Sequence, residues 1–483
     1  MIAEPVDPTE VFDVAVVGAG LVGSAIARQL AGYQLRVLLL EGRTDVGDGT
    51  SKANTAILHT GFDAKPGTLE SRLVRHGQQL LSRYATETGI PVERTGAILV
   101  AWTEEELAAL PGLKDKAEAN GYQHCELVGT EAVYREVPAL AAGALGGLTV
   151  PDESIICTWT TNLALATDAV HRGVVLRLDS AVTAVTDRGG DGLTLDTTSG
   201  ACRARWLINA AGLGADLVDG LLGHQRFTVT PRRGELLVFD KLARPLVNRI
   251  VLPVPSRLGK GVLVSPTIYG NVMLGPTAED LQDKQATGTS EAGFEFLHTK
   301  GLRLMPRLLD EEVTATYAGL RAAIDRDDYL IELDEDQHYL LVAGIRSTGL
   351  TACLAIAEHV VTLLAGGGLE LTPRADLPAP PVMPNLGEAF TRPYQRPDLI
   401  AADPAYGRIV CFCERVTEGE IRDAFAAPVP ARDLGGLRRR TRAMNGRCQG
   451  FFCGAEVSAM LEGQCVASES LPPGGPHPTG ADR

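Results

Sequence analysis

The strongest restriction on the fold lies in residues 11–41. They run as an apolar stretch Val11–Val17, a glycine turn, a helical stretch Val22–Leu30 and a second apolar stretch Leu35–Leu40 closed by Glu41. Short apolar runs on either side of a segment with helical periodicity read as β-α-β. Gly18, Gly20 and Gly23 spell G-x-G-x-x-G at the strand-to-helix turn. The first glycine permits the tight turn, the second lets backbone approach a pyrophosphate, and the third packs helix on strand. The helix N-terminus favours phosphate charge, and Glu41 can accept from ribose hydroxyls. A chain that begins this way is committed to a parallel sheet covered by helices, with a dinucleotide at the end of its first strand.

Its 483 residues exceed the roughly 250–300 at which single cores stop growing, so at least two domains and an appended module are expected. Residues 201–212 (ACRARWLINAAG) and 339–350 (YLLVAGIRSTGL) are short strands that end in glycine-bearing turns, and both suit the same parallel sheet. Between them, residues 226–319 hold strand-like runs such as GELLVFD and NVMLGPT, with little helical periodicity before residue 290. That stretch reads as an inserted, mostly antiparallel substrate domain. Eight prolines between Pro373 and Pro404 predict an extended connector. The net charge of −15 argues against nucleic-acid binding. Residues 405–455 differ, with nine Arg against five acids, a local +4. The opening MIAEPVDPTE lacks the basic and apolar regions of a secretory signal, and Leu350–Leu364 is interrupted by Glu358 and His359, short of the roughly 18–20 apolar residues of a spanning helix. A cytoplasmic protein with at most peripheral membrane association is expected.

The glycine pattern does not choose between NAD and FAD. Its place at the extreme N-terminus, the second turn Asn209-Ala210-Ala211-Gly212 and the third turn Gly344–Gly349 favour FAD. On these motifs the chain resembles the D-amino-acid-oxidase-like superfamily of FAD enzymes, over roughly residues 11–366. The resemblance implies a late helix whose N-terminus, at Gly349, Leu350 and Thr351, faces the flavin pyrimidine ring, a use of the helix dipole. Thr50-Ser51-Lys52-Ala53-Asn54 followed by Ile57-Leu58-His59-Thr60-Gly61 is similar to the flavin-contacting loop of glycerol-3-phosphate and L-2-hydroxyglutarate dehydrogenases, and KPGTLESRLVRHG is closer to the latter. Tyr317-Ala318-Gly319-Leu320-Arg321 resembles the segment whose arginine faces substrate in the glycerol-phosphate enzymes.

Nine cysteines without an export signal point to metal or redox chemistry. Cys411-x-Cys413 and Cys448-x4-Cys453 set four thiolates in two close pairs, which suits a [2Fe-2S] cluster. Structural zinc is the alternative, and its usual spacing matches the second pair but not the first. VCFCERVTEGEI and LRRRTRAMNGRCQGFFC closely resemble the bacterioferritin-associated-ferredoxin-like domain that ends anaerobic-type glycerol-3-phosphate dehydrogenase large subunits and certain amino-acid-oxidising flavoenzymes. The resemblance implies an electron path and leaves the substrate open. Arg438, Arg439, Arg440 and Arg442 read either as a solvated helix face or as charge compensation for a cluster and docking of an acidic acceptor. Cys125, Cys157, Cys202, Cys353 and Cys465 read as small buried or incidental residues.

The expected architecture is α/β: an FAD-binding Rossmann-like domain (10–90, 148–225 and 320–368), an inserted mostly antiparallel substrate or cap domain (91–147 and 226–319), a Pro-rich linker (369–405), a small C-terminal helical iron-sulfur module (406–466) and a disordered tail (467–483). The resemblance implies hydride transfer from a secondary alcohol, in glycerol-3-phosphate or an L-2-hydroxy acid such as L-2-hydroxyglutarate, to FAD N5, then single electrons through the cluster to an acceptor protein, partner subunit or quinone. His59 is the candidate base, with a merely structural histidine as the alternative. Arg321 is the candidate clamp for an anionic substrate, with a structural ion pair as the alternative. Arg346 and, more weakly, Lys260 are further candidate cations. An amine or amino-acid dehydrogenase subunit and a non-catalytic electron-transfer flavoprotein are the competing readings.

Overall fold

The computed structural model describes residues 10–187, 192–255 and 261–469. Lys260 and the tail from residue 470 lie outside the described residues, as does the side chain of Cys465. Two compact units divide the chain, one ending at Arg392 and one beginning at Pro393.

In the first unit, strands Val175–Arg177, Val37–Leu40, Val11–Val17, Cys202–Asn209 and Tyr339–Ala343 lie side by side in that order, all parallel. Both strands expected to join the first β-α-β unit do so. Val37–Leu40 and Tyr339–Ala343 are buried along their whole length, because helices cover the sheet. Leu21–Leu30 packs on Thr158–His171 and Gly349–Gly366, and the latter also packs on Leu69–Thr88. Gly77 permits that last approach, since a Cβ there would sit 2.3 Å from the Thr351 carbonyl oxygen. Gly349–Gly366 is the one helix among the described residues long and apolar enough to cross a membrane, and here it is a core helix with Ala352, Ile356 and Val360 fully buried.

The same unit holds a second, mostly antiparallel sheet. Thr230–Phe239 pairs along its length with Val313–Ala323, and Val272–Gly275, Leu263–Pro266, Ile250–Pro253, Ala97–Ala101, Gly146–Val150 and Glu126–Gly129 extend it. Ile250–Pro253 and Ala97–Ala101 run parallel. Side chains alternate across a strand, so Leu237 and Phe239 enter a core with Val264, Val272, Leu274 and Leu297. Arg232, Gly234, Gly319 and Arg321 share the opposite face, paired Arg232 with Arg321 and Gly234 with Gly319. A small third sheet joins Ile57–Leu58 and Ser154–Ile156 with Ile57 opposite Ile155 and Leu58 opposite Ser154. Continuing that register sets His59 across from Glu153.

The Pro-rich stretch departs from the expected connector. Its first part is tied down: Arg374 N–H donates to Gly32 O, Met383 N–H to Thr88 O and Glu388 N–H to Ile268 O, and Lys241 pairs with Glu388. Its second part includes the helix Pro397–Ala402, which starts on proline at the position where no N–H is needed.

The second unit is a hairpin, Ile409–Cys411 with Val416–Thr417, followed by helices Glu418–Ala426, Leu434–Thr441 and Gly454–Glu469. Val410, Val416, Ile421, Leu437 and Val457 form its core. The arginine run is not a solvated face, since Arg440 and Arg442 are each only 5% exposed. Arg440 donates to the Val429 and Gly436 carbonyls, Arg442 Nε to Glu414 at 2.8 Å, and Arg438 Nε to Asn445 at 2.8 Å. The helix is short and ends in left-handed Arg442 at φ +69°, so the loops around it take their donors from these side chains. Thr417 and Glu420 form a capping box for Glu418–Ala426, with Thr417 N–H donating to Glu420 Oε2 at 2.9 Å. Thr417→Ala is therefore expected to cost about 1–2 kcal/mol, measured as a lower midpoint in thermal unfolding.

Candidate functional site

One cavity of about 1850 Å³ runs through the first unit. A pocket for a drug-sized ligand occupies roughly 300–1,000 Å³, so this one has room for a dinucleotide and a substrate together. Of the residues expected at the cofactor, Gly18, Gly20, Glu41, Thr50, Ser51, Asn54, Ala211, Gly212, Gly349 and Leu350 line it. Gly23, Gly344 and Thr351 are absent from its wall. Gly23 sits where helix meets strand, and a Cβ there would lie 1.8 Å from the Gly18 carbonyl oxygen. Gly344 is a turn residue at φ +71°. Thr351 is fully buried, and its hydroxyl accepts from the His59 N–H at 3.0 Å. It is a strut behind the cavity.

The dinucleotide end fits FAD. Gly18 has φ +100°, and a Cβ would stand 2.6 Å from the Ala210 carbonyl oxygen, so only glycine leaves the turn open. Glu41 accepts from the Ala19 N–H at 2.8 Å and the Arg43 N–H at 3.0 Å. Burial raises its carboxyl above the ordinary value, opposed by those two donors. Ser51 Oγ accepts from Leu21 N–H at 3.0 Å, at the start of the first helix, while Thr50 Oγ1 donates to Leu320 O at 2.8 Å. The loop carrying Thr50, Ser51 and Asn54 thus ties the phosphate turn to the strand that carries Arg321.

At the other end, Arg321, His59 and Arg346 all line the cavity. Among the described residues no carboxylate pairs with Arg321, and its Nη1 donates only to Thr277 O at 3.4 Å. Burial, with the Arg232 guanidinium beside it, pushes Arg321 below its usual value. Like charges directly opposite across a sheet are unfavourable, and Arg232 is relieved by Asp280 at 2.5 Å while Arg321 is not. The guanidinium fits because Gly234 has no side chain: a Cβ there would lie 2.9 Å from Arg321 Nη2. Arg346 differs, since it pairs with Glu70 at 3.1 Å and donates to Asp327 O at 2.5 Å. It lines the cavity as a neutralised cation.

His59 Nδ1 lies 3.1 Å from Glu153 Oε2. Glu153 Oε1 accepts from the Thr60 N–H at 2.7 Å and the Thr60 hydroxyl at 2.9 Å. No sequence motif marks Glu153, Gly234 or Arg232. Glu153 stands 94 positions from His59, and nothing short of the strand register could have linked them.

In the second unit the four motif cysteines meet as two contacting pairs, Cys413 with Cys448 and Cys411 with Cys453. Two thiolates for each of two irons is the donor set a [2Fe-2S] cluster takes. The Phe452 N–H above all, then the Cys413 thiol and the N–H groups of Gly450 and Phe451, lowers the Cys448 thiol from its ordinary value, so backbone donors face that sulfur. Phe412, Phe451 and Phe452 are 75%, 85% and 78% exposed, which sets the cysteine loops at the surface of their unit.

Comparison with known proteins agrees with this geometry. The FAD dependent oxidoreductase (DAO) family matches residues 13–363, and the BFD-like [2Fe-2S] binding domain matches residues 409–463. A glycerol 3-phosphate dehydrogenase from Caloramator mitchellensis is 36% identical over 93% of this chain and 94% of its own. A mitochondrial L-2-hydroxyglutarate dehydrogenase from Arabidopsis thaliana is 27% identical over 73% and 83%. The structure of dithionite-reduced L-alpha-glycerophosphate oxidase from Mycoplasma pneumoniae with FAD bound superposes with a TM-score of 0.73 at 28% identity, covering 78% of this chain and all of that one. The chain belongs to the FAD-dependent oxidoreductase family and joins to that flavoprotein fold a BFD-like [2Fe-2S] domain.

Proposed function

We propose that this flavoenzyme oxidises the secondary alcohol of a small anion, glycerol-3-phosphate or an L-2-hydroxy acid such as L-2-hydroxyglutarate, and passes electrons to an external acceptor. The observation that carries this reading is Arg321, a cation with no carboxylate partner among the described residues, in the same cavity as His59. A buried charge is costly unless matched, and an anionic substrate supplies the match through a bidentate guanidinium contact. His59 accepts the hydroxyl proton at Nε2, because Nδ1 is engaged by Glu153. FAD, when bound, supplies the hydride acceptor. The relatives' names point the same way, since glycerol 3-phosphate and L-2-hydroxyglutarate both present an alcohol carbon near an anionic group. Cys411, Cys413, Cys448 and Cys453 hold the cluster, whose exposed loops suit an acceptor protein, partner subunit or quinone.

The test is an anaerobic titration of the holoenzyme with glycerol-3-phosphate, L-2-hydroxyglutarate and a panel of amino acids, following flavin absorbance. Bleaching by one of the hydroxy anions is expected. Bleaching by an amine alone would move the protein to amino-acid oxidation and remove His59 as an alcohol base.

A further inference from the structure

We infer that Glu153 is the positioning residue of the site: it holds His59 in the tautomer that carries its proton on Nδ1 and keeps the Nε2 lone pair for the substrate hydroxyl. The inference rests on the reading of His59 as the base.

Three observations support it. Glu153 is 1% exposed, and among the described residues no lysine or arginine pairs with it. A carboxylate kept in such a place needs a reason beyond stability, because burial of an unmatched charge is costly. Its two oxygens are also used differently. Oε1 takes both donors of Thr60, the N–H at 2.7 Å and the hydroxyl at 2.9 Å, while Oε2 faces His59 Nδ1 at 3.1 Å. A carboxylate that takes two donors on Oε1 and meets a ring nitrogen at Oε2 is completed by a hydrogen on that nitrogen. Finally, the geometry is set by backbone: the Ile57–Leu58 and Ser154–Ile156 pairing sets His59 opposite Glu153, and Thr351 Oγ1 holds the His59 N–H at 3.0 Å.

During turnover the substrate O–H bond breaks and its proton forms a bond to His59 Nε2, while the C–H bond breaks and its hydrogen, with both bonding electrons, would go to the oxidised flavin that the site holds when loaded. Alcohol minus a proton and a hydride is the ketone, so the step balances. The imidazolium left behind bears hydrogen on both nitrogens, and the Glu153 carboxylate stabilises its charge until Nε2 releases the proton to solvent. Glu153 is absent from the cavity wall that His59 lines and acts through His59.

Glu153→Gln is a sharp test because it preserves shape and inverts the hydrogen bond. Thr60 offers two donors to one oxygen, so the glutamine carbonyl must occupy the Oε1 position and its NH2 must face His59. Two donors then oppose each other unless the imidazole moves its proton to Nε2, which closes the site to the substrate hydroxyl. The experiment is anaerobic rapid mixing of the FAD- and cluster-loaded wild type, Glu153→Gln and His59→Gln with whichever of glycerol-3-phosphate or L-2-hydroxyglutarate bleaches the wild type. The limiting rate of flavin bleaching is expected to fall about 100-fold in Glu153→Gln, with the half-saturating concentration changed by less than about twofold. Nitrogen-15 spectra of histidine-labelled wild type, assigned by the signal missing from His59→Gln, are expected to show the proton on Nδ1, whether or not Glu153→Gln folds. A Glu153→Gln enzyme at the wild-type limiting rate, with His59→Gln inactive, would overturn the inference and leave the base assignment standing. His59→Gln at the wild-type rate would overturn the base assignment itself.

Discussion

Replacing Arg321 with methionine is expected to lower kcat/KM for the anionic substrate by roughly 30- to 4,000-fold, the equivalent of about 2–5 kcal/mol for truncating one side of a buried charge pair. The loss falls on substrate and leaves the cofactor in place, since Arg321 makes no hydrogen bond to Gly18, Gly20 or Glu41 among the described residues. The substrate-free enzyme is expected to be no less stable than the wild type. Arg321 contributes a desolvated charge that Arg232 further disfavours, and no carboxylate among the described residues repays it, so removing it takes away a cost. Methionine matches the stem of the side chain and adapts to irregular gaps. Inorganic phosphate supplies a second reading. A ligand that binds only the folded state raises stability in proportion to its occupancy, so saturating phosphate is expected to raise the melting temperature of the wild type and to leave Arg321→Met unmoved. A fall in stability of the substrate-free variant, with phosphate still protecting it, would assign Arg321 to structure and place the anion elsewhere.

The contrast between Arg321 and Arg346 shows where sequence reasoning reaches and where it stops. Both were legible as candidate cations near the flavin, and both line the cavity. Only the fold shows that Arg346 is neutralised by Glu70 at 3.1 Å, because Glu70 starts a helix remote in sequence. The parallel sheet and its glycine turn were legible because they are local: strand, turn, helix and acid follow one another within residues 11–41. His59 could be placed near the flavin by its loop, but its partner Glu153 depends on an antiparallel register between two short strands, and composition carries no trace of register. The solvated-face reading of the arginine run fails at Arg440 and Arg442 for a related reason. Helical spacing gives the face a residue lies on, whereas the Val429 carbonyl that draws in Arg440 comes from a loop whose path the sequence does not print.

The cysteine module, by contrast, was legible from spacing, and it yields the other large effect. Cys448→Ser is expected to reduce bound iron from about two per chain to near zero and to abolish the cluster's visible absorbance, with FAD content unchanged. Outer-shell changes at metal sites already cost about 10–100-fold in affinity or activity, and loss of a ligand exceeds that. Cys448 is the sulfur to remove because three backbone N–H groups, that of Phe452 foremost, point at it and favour its ionised form, and serine would need to ionise a far weaker acid to replace it. Cluster binding adds to the stability of the folded unit, so an earlier unfolding transition is expected as well, larger than that of Thr417→Ala. The rate at which substrate bleaches the flavin should stay within about twofold of the wild type, because sites that share no partners act independently and His59, Glu153 and Arg321 all lie in the other compact unit. A colourless wild-type protein containing one zinc in place of iron would reassign the four cysteines to a structural site. A bleaching rate that collapsed with the cluster would show that the two redox centres cannot be treated as separable parts.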